Sequence, residues 1–317
     1  MEAPPPNPYR FPGLDAAPAA AEPSRTPERG PAGHAAPSPP SFTGPVLIDG
    51  HTHTPRCGHA RGTGDEYVHA ALDAGLAGLA VTCHNPMPGG WGARMRMGDD
   101  ELPAYVQDVR DLQRRWEGRA DVRLGLEADF VPGKEDLVAR QINAHNFDVV
   151  LGSVHPQIPE YRQRYWNGST LDYQRTYFEH LAQSAESGLF DVIAHGDLIK
   201  QLMPQSWSLS RILPDIEAAL DRIAATGVAM ELNTSGWRKR LQECMPGPRI
   251  LYELARRRIP VTLGADAHQP ERVGENFDQA LALLDAAGYR GVSYFRQRER
   301  HEVPMAAARK SLERVAA

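Results

Sequence analysis

Seven short apolar runs, each followed by a segment of helical period, fill the chain from Pro45 onward and predict an α/β fold. The runs are almost continuously apolar, the pattern of strands buried on both faces of a parallel sheet. No Gly-x-Gly-x-x-Gly loop follows any of them, so a closed (β/α) barrel fits better than a doubly wound dinucleotide fold. Six of the seven runs end on His, Glu or Asp. Barrel enzymes build their sites at the carboxyl ends of strands, so those residues become the candidates for chemistry.

Taken in order, residues 1 to about 44 are a Pro/Ala-rich segment, with Pro4-Pro5-Pro6 and Pro37-Ser38-Pro39-Pro40. Such a composition buries too little apolar surface to offset ordering entropy, and a disordered tail carrying His34 as a passenger is expected. The domain is therefore expected to run from 45 to 317. Its first strand, Val46-Leu47-Ile48, opens into Asp49-Gly50-His51-Thr52-His53. On extended backbone residues i and i+2 project to the same side, so His51 and His53 can aim at one ion. A helix from about Asp65, stopped at Gly75, leads to the strand Leu79 to Cys83 and His84.

The Gly-rich loop Asn85 to Asp100 reads as a lid or rim, and a helix over about 101–117 carries Leu102, Val106, Val109 and Leu112 at helical spacing. The strand Val122 to Leu126 ends at Glu127, a helix follows near 134–144, and the strand Phe147 to Val154 ends at His155. A helix over 171–188 precedes the strand Phe190 to Ala194 and His195. The last units are a helix near 212–226 with strand Val228 to Leu232, then a helix at 249–257 with strand Pro260 to Ala265 ending at Asp266 and His268. A helix over 277–287 and a short strand over 291–295 close the pattern.

Composition narrows the function. The 317 residues are 41% hydrophobic and 24% charged with a net charge of −5, which argues against a dedicated nucleic-acid binder. No run approaches the roughly 18 apolar residues that span a bilayer, and the N-terminus lacks the basic-then-apolar pattern of a secretory signal. Cys57, Cys83 and Cys244 are odd in number and widely spaced, so the cytoplasm is the expected compartment.

The candidate ligands are His51, His53, His59, His84, Glu127, His155, His195, Asp266 and His268. Imidazole with carboxylate suits borderline to hard divalent ions such as Zn, Mn or Fe. Nine ligands exceed what one tetrahedral ion needs, so two or three ions with a shared carboxylate are expected. His69, His145 and His180 lie on helical segments and read as structural or solvated, and Cys83 as a packed strand residue.

These motifs resemble the PHP (polymerase and histidinol phosphatase) family, in particular its histidinol-phosphate phosphatase branch. The family's metal motifs match Asp49 to His53, His59, His84, Glu127, His155, His195 and Asp266-Ala267-His268. The branch resemblance lies in Glu101 to Val106, Gly125 to Asp129, Gly152 to His155, Glu231 to Lys239 and Val292 to Phe295, and extends to about Pro304. It implies a distorted (β/α)7-type barrel with a trinuclear site at the carboxyl ends of the strands. His51, His53, Glu127 and Asp266 would hold one ion, Glu127, His155 and His195 a second, and His59, His84 and His268 a third.

The implied reaction is metal-dependent hydrolysis of L-histidinol phosphate, a small-molecule ester, in histidine synthesis. Glu127 would share its carboxylate between two ions beside an activated water, Asp266 or a metal-bound water would handle protons, and Arg238 would clamp a phosphoryl oxygen. Asp49 is expected to hold a ligating imidazole. Lys200, Ser235, Glu160 and Tyr161 are the expected substrate contacts, with Tyr161 or Trp166 stacking on the imidazole. The rival readings are a phosphodiesterase or nuclease of the same family, and a non-catalytic module stabilised by metal.

Overall fold

The computed structural model describes residues 46–313; the Pro/Ala-rich segment expected to form a tail lies outside them. In chain order the first half comprises β1 (Ile48–Thr52), α1 (Gly64–Asp73), β2 (Gly78–Val81), α2 (Leu102–Trp116), β3 (Asp121–Asp129), α3 (Glu135–Asn143) and β4 (Val149–Ser153). Two helices follow, α4 (Pro159–Tyr165) and α5 (Thr170–Glu186), then β5 (Val192–Ile193), α6 (Ile199–Leu202), α7 (Leu209–Thr226) and β6 (Ala229–Asn233). The chain ends with α8 (Pro248–Arg256), β7 (Val261–Gly264), α9 (Phe277–Ala287), β8 (Gly291–Arg296), β9 (Glu299–Pro304) and α10 (Met305–Glu313).

β1 to β7 lie side by side in sequence order and all pair in parallel. The ring nearly closes just past β7, where the amide of His53 bonds to Ala267 O (2.9 Å) and that of Ala267 to His51 O (3.2 Å). This is the α/β barrel that the alternation predicts. Gly50 is required at the seam, because a Cβ there would stand 2.7 Å from Leu263 O.

The two ends of the barrel differ in chemistry. At the amino end, β8 and β9 form an antiparallel hairpin whose Val292, Phe295 and Val303 meet Ile48, Ala80, Val149, Leu151 and Val192. The gap left there is about 20 Å³, room for a single water. Arg123 Nη1 donates to Phe295 O (2.8 Å), and Arg298 Nε reaches Asp191 (2.5 Å), so a hydrogen bond and an ion pair fasten the plug to the strand starts. Only β8 is expected from sequence. β9 is missed because Glu-Arg-His-Glu-Val-Pro buries Val303 alone and has no apolar pattern. The polar carboxyl end carries the site.

Candidate metal centre

The strands deliver the nine candidate ligands to one place. His51 lies within β1 and His53 just past it, on the same side, with ring centroids 5.0 Å apart. A 3-10 turn over Pro55–Cys57, closed by Gly58 at φ 78°, turns the chain back, and the His59 ring stands 4.4 Å from that of His268. β3 runs two residues beyond its expected end, since it pairs with β4 as far as Asp129 and Ser153. Glu127 therefore sits inside a strand, fully buried, at the centre of the cluster.

Around its two oxygens stand His84 Nδ1 (2.8 Å), His51 Nε2 (3.3 Å) and His53 Nε2 (3.5 Å) on one side. His195 Nε2 (2.9 Å) and His155 Nε2 (3.3 Å) stand on the other. Asp266 Oδ1 lies 3.2 Å from His53 Nε2 and 3.8 Å from His51 Nε2. His195 and Asp266 both take positive φ, 30° and 50°. Non-glycine residues are uncommon there, and such backbone strain gathers at functional sites.

Burial grades from floor to mouth. His51, His53, Glu127 and His195 are closed off, while His268 is half-buried and His59 exposed at the rim. The cavity above them is about 520 Å³, and Gln157, Arg238, Lys239, Gln269 and Arg272 line its upper part.

Among the described residues, His51 Nε2, His53 Nε2, His84 Nδ1, Glu127 Oε2 and His268 Nε2 are buried without a hydrogen-bond partner. Leaving so many polar atoms unsatisfied is costly unless a ligand completes them. Three groups of these side chains could each hold a metal ion: His51/His53/Asp266, His84/Glu127/His155 and His53/His84/His268. Imidazole with carboxylate is a donor set for divalent cations. In these groups His84 joins Glu127 and His155 as well as His268, a wider reach than the expected division among three ions.

The protonation pattern agrees. Burial works against charge on Glu127, but the surrounding imidazoles hold its pKa well below the usual range. Burial likewise opposes charge on His53 and His155, yet neighbouring carboxylates lift each to about 9. Burial pushes His84 down to about 4 and His268 to about 2.

The supporting residues depart from expectation. Asp49 does not hold an imidazole: its oxygens accept the amides of His51 (3.1 Å), Ala265 (3.0 Å) and Gly274 (2.9 Å), fixing the β1/β7 seam. Burial raises its pKa to about 6. The imidazole partner is Glu231 on β6, whose Oε1 lies 2.7 Å from His51 Nδ1. Gly264 leaves that carboxylate its space, as a Cβ there would overlap Glu231 Oε1. Asp129 serves His155 in the same way (2.8 Å to Nδ1) and is itself paired with buried Arg96 (2.7 Å). A carboxylate inside an apolar strand, as in Met230-Glu231-Leu232, is the signal that would have found Glu231, because a buried charge needs a partner.

Ser235 and Arg238 line the cavity. Ser235 Oγ lies 3.2 Å from Asp266 Oδ2, and Arg238 pairs with Glu275, which also pairs with Arg272. Lys200 does not reach the cavity. It is fully buried, pairing with Asp197 and Glu243 (2.8 Å each) and donating to Cys244 O (2.7 Å). Tyr161 is a core residue whose hydroxyl faces His180 Nδ1 (2.7 Å), which also gives His180 its structural role. Glu160 accepts the amide of Gly92 (3.3 Å) and so ties down the Gly-rich loop, and Trp166 packs edge-on against Tyr173. α4 and α6 turn Tyr161 and Lys200 into the core, and Pro159 at the start of α4 is the helix signal that the sequence carries.

A barrel whose strands bring buried His, Glu and Asp groups able to hold metal to their carboxyl ends defines a metal-dependent hydrolase type of site. Residues 49–235 match the PHP domain model. The chain is 43% identical over 257 residues to a probable histidinol-phosphatase of Deinococcus radiodurans, covering 78% of this chain and 96% of the relative. A histidinol-phosphatase of Bacillus subtilis is 25% identical over 272 residues, covering 74% of this chain and 97% of that protein. Among solved structures, histidinol phosphate phosphatase from Lactococcus lactis, complexed with Zn, L-histidinol and phosphate, superposes with a TM-score of 0.69 at 20% identity. That likeness covers 80% of this chain and 98% of the other. The chain belongs to the PHP domain family.

Proposed function

We propose that this protein is a histidinol-phosphatase, hydrolysing L-histidinol phosphate to L-histidinol and phosphate in histidine synthesis. The observation that carries the reading is the convergence of five imidazoles on the buried carboxylate of Glu127, beneath a cavity rimmed by Arg238, Lys239 and Arg272. The 43% identity to a probable histidinol-phosphatase supports the substrate. Two or three divalent ions, Zn, Mn or Fe, are proposed for the centre, held by His51, His53, His59, His84, Glu127, His155, His195, Asp266 and His268. The Lactococcus protein was complexed with Zn. The chemistry such ions supply is Lewis acidity toward water and the phosphoryl oxygens.

The chain's own groups do the rest. Glu231 and Asp129 hold His51 and His155 in the tautomer that turns Nε2 inward. Ser235 bonds one oxygen of Asp266, which leaves the other directed at His53 and available to an ion held with His51 and His53. Arg238 and Arg272 share one Glu275, so with Lys239 the rim keeps net positive charge for a phosphate dianion. Arg238 is the proposed clamp on a phosphoryl oxygen. Gln157 and Gln269, uncharged donors and acceptors on the same wall, suit a small polar ester. The cytoplasm, where a biosynthetic phosphatase of this kind works, is the proposed compartment; no helix among the described residues is long and apolar enough to cross a membrane.

The direct test is phosphate release from L-histidinol phosphate by metal-loaded protein, repeated after chelation and after metal add-back. Release that needs the metal supports the reading, and a loaded protein inert toward this ester overturns it.

A further inference from the structure

We propose that His53, Cys57 and Cys83 form a second cation site, behind the centre, for a soft thiophilic d10 ion such as Zn(II) or Cu(I). One ligand atom from each residue lies within 4.8 Å of the others. All three are buried, both cysteines completely, and neither thiol is in a disulfide. In a tetrahedral site with metal–sulfur bonds of about 2.3 Å, neighbouring donors stand roughly 3.5–3.8 Å apart, so closure takes shifts of about an ångström.

Two buried atoms here have no hydrogen-bond partner among the described residues. His53 directs Nε2 toward Asp266 and Glu127, and its Nδ1 is unpartnered. The hydroxyl of Tyr67 is the other. Thr54 Oγ1, 3.2 Å from Cys83 Sγ, supplies an oxygen for a fourth position. A cleft of about 460 Å³, walled by His53, Thr54, Tyr67 and Tyr105, runs alongside.

The donor chemistry separates the two sites. Imidazole and carboxylate make the main centre, whereas two sulfurs select for soft ions. With Nε2 of His53 ligated in the main centre, binding converts both thiols to thiolates and the His53 ring to a bridging imidazolate, releasing three protons to solvent with no electron transfer. His53 would then serve both sites through its two ring nitrogens.

Cadmium alone is the probe, added to manganese-loaded protein. A thiolate-to-cadmium charge-transfer band should grow to one equivalent per chain, at the intensity of two thiolates. Cadmium exchanging into the imidazole–carboxylate centre gives no such band. Cys57→Ser and Cys83→Ser should each cut the intensity at least twofold while far-UV circular dichroism stays unchanged, and Cys244→Ser should leave it intact. No band in the wild-type protein, a band of one-thiolate intensity, or a band that survives the Cys57→Ser/Cys83→Ser double variant overturns the site.

Discussion

Glu231 Oε1 lies 2.7 Å from His51 Nδ1, and the second oxygen of the same carboxylate accepts the amide of His195 (2.8 Å) and the side chain of Asn233 (3.1 Å). One residue on β6 thus orients a ligand on β1 and fixes the backbone of another after β5. Glu231→Gln cannot accept at both ends, so a ring or an amide loses its partner. Metal affinity should fall about 10- to 100-fold, with kcat largely restored at saturating metal. Calorimetric metal titration checks this, and an unchanged affinity would refute the orienting role.

The ligand set predicts more than one ion per chain. Elemental analysis of manganese-loaded protein should find two or three. Glu127→Gln should lose activity more completely than His59→Asn, because five imidazoles face Glu127 while His59 sits at the exposed rim. One ion or fewer, or equal mild losses, contradicts the proposed sharing.

Much of this was legible in the sequence. Apolar strands in regular alternation gave the barrel, and the i, i+2 spacing of His51 and His53 put both rings on one spot. What was not legible depends on long-range pairing. That His51 Nδ1 meets Glu231 rather than Asp49 is decided by the packing of β1, β7 and β6, 180 residues apart in sequence. Lys200 and Tyr161 look like loop residues, but α6 and α4 turn them inward, and nothing local marks that turn beyond Pro159. The plugging strand β9 is polar on nearly every residue and takes its shape only from β8.

Lys200 should matter for stability and not for turnover. Lys200→Met leaves Asp197 buried without its counterion, which costs about 3–5 kcal/mol. Thermal melts should drop by several degrees while kcat of the folded variant stays within about twofold. Burial opposes the ammonium, but Asp197 and Glu243 raise its pKa above 10.5. The stabilisation is therefore complete below the unfolded value and lost as pH rises through the folded one. The gap between wild type and variant should hold steady from about pH 7 to 10 and shrink above that.

Among the described residues, every candidate ligand and every residue lining the cavity lies between His51 and Arg272. Deleting residues 1–44 should accordingly leave kcat within about twofold. A tenfold fall, about 1.4 kcal/mol of barrier, would make that segment part of the site.

The central claim is the substrate, and one comparison tests it most directly: kcat/KM for L-histidinol phosphate, a simple alkyl phosphate and a dinucleotide, under one metal condition. Remote groups that bind in the transition state lower the barrier, so the truncated ester should be slow. Histidinol phosphate should lead by at least about 100-fold, roughly 2.7 kcal/mol of differential transition-state binding. Equal rates for the two monoesters would contradict a dedicated histidinol-phosphatase, and a dinucleotide in the lead would make the protein a phosphodiesterase.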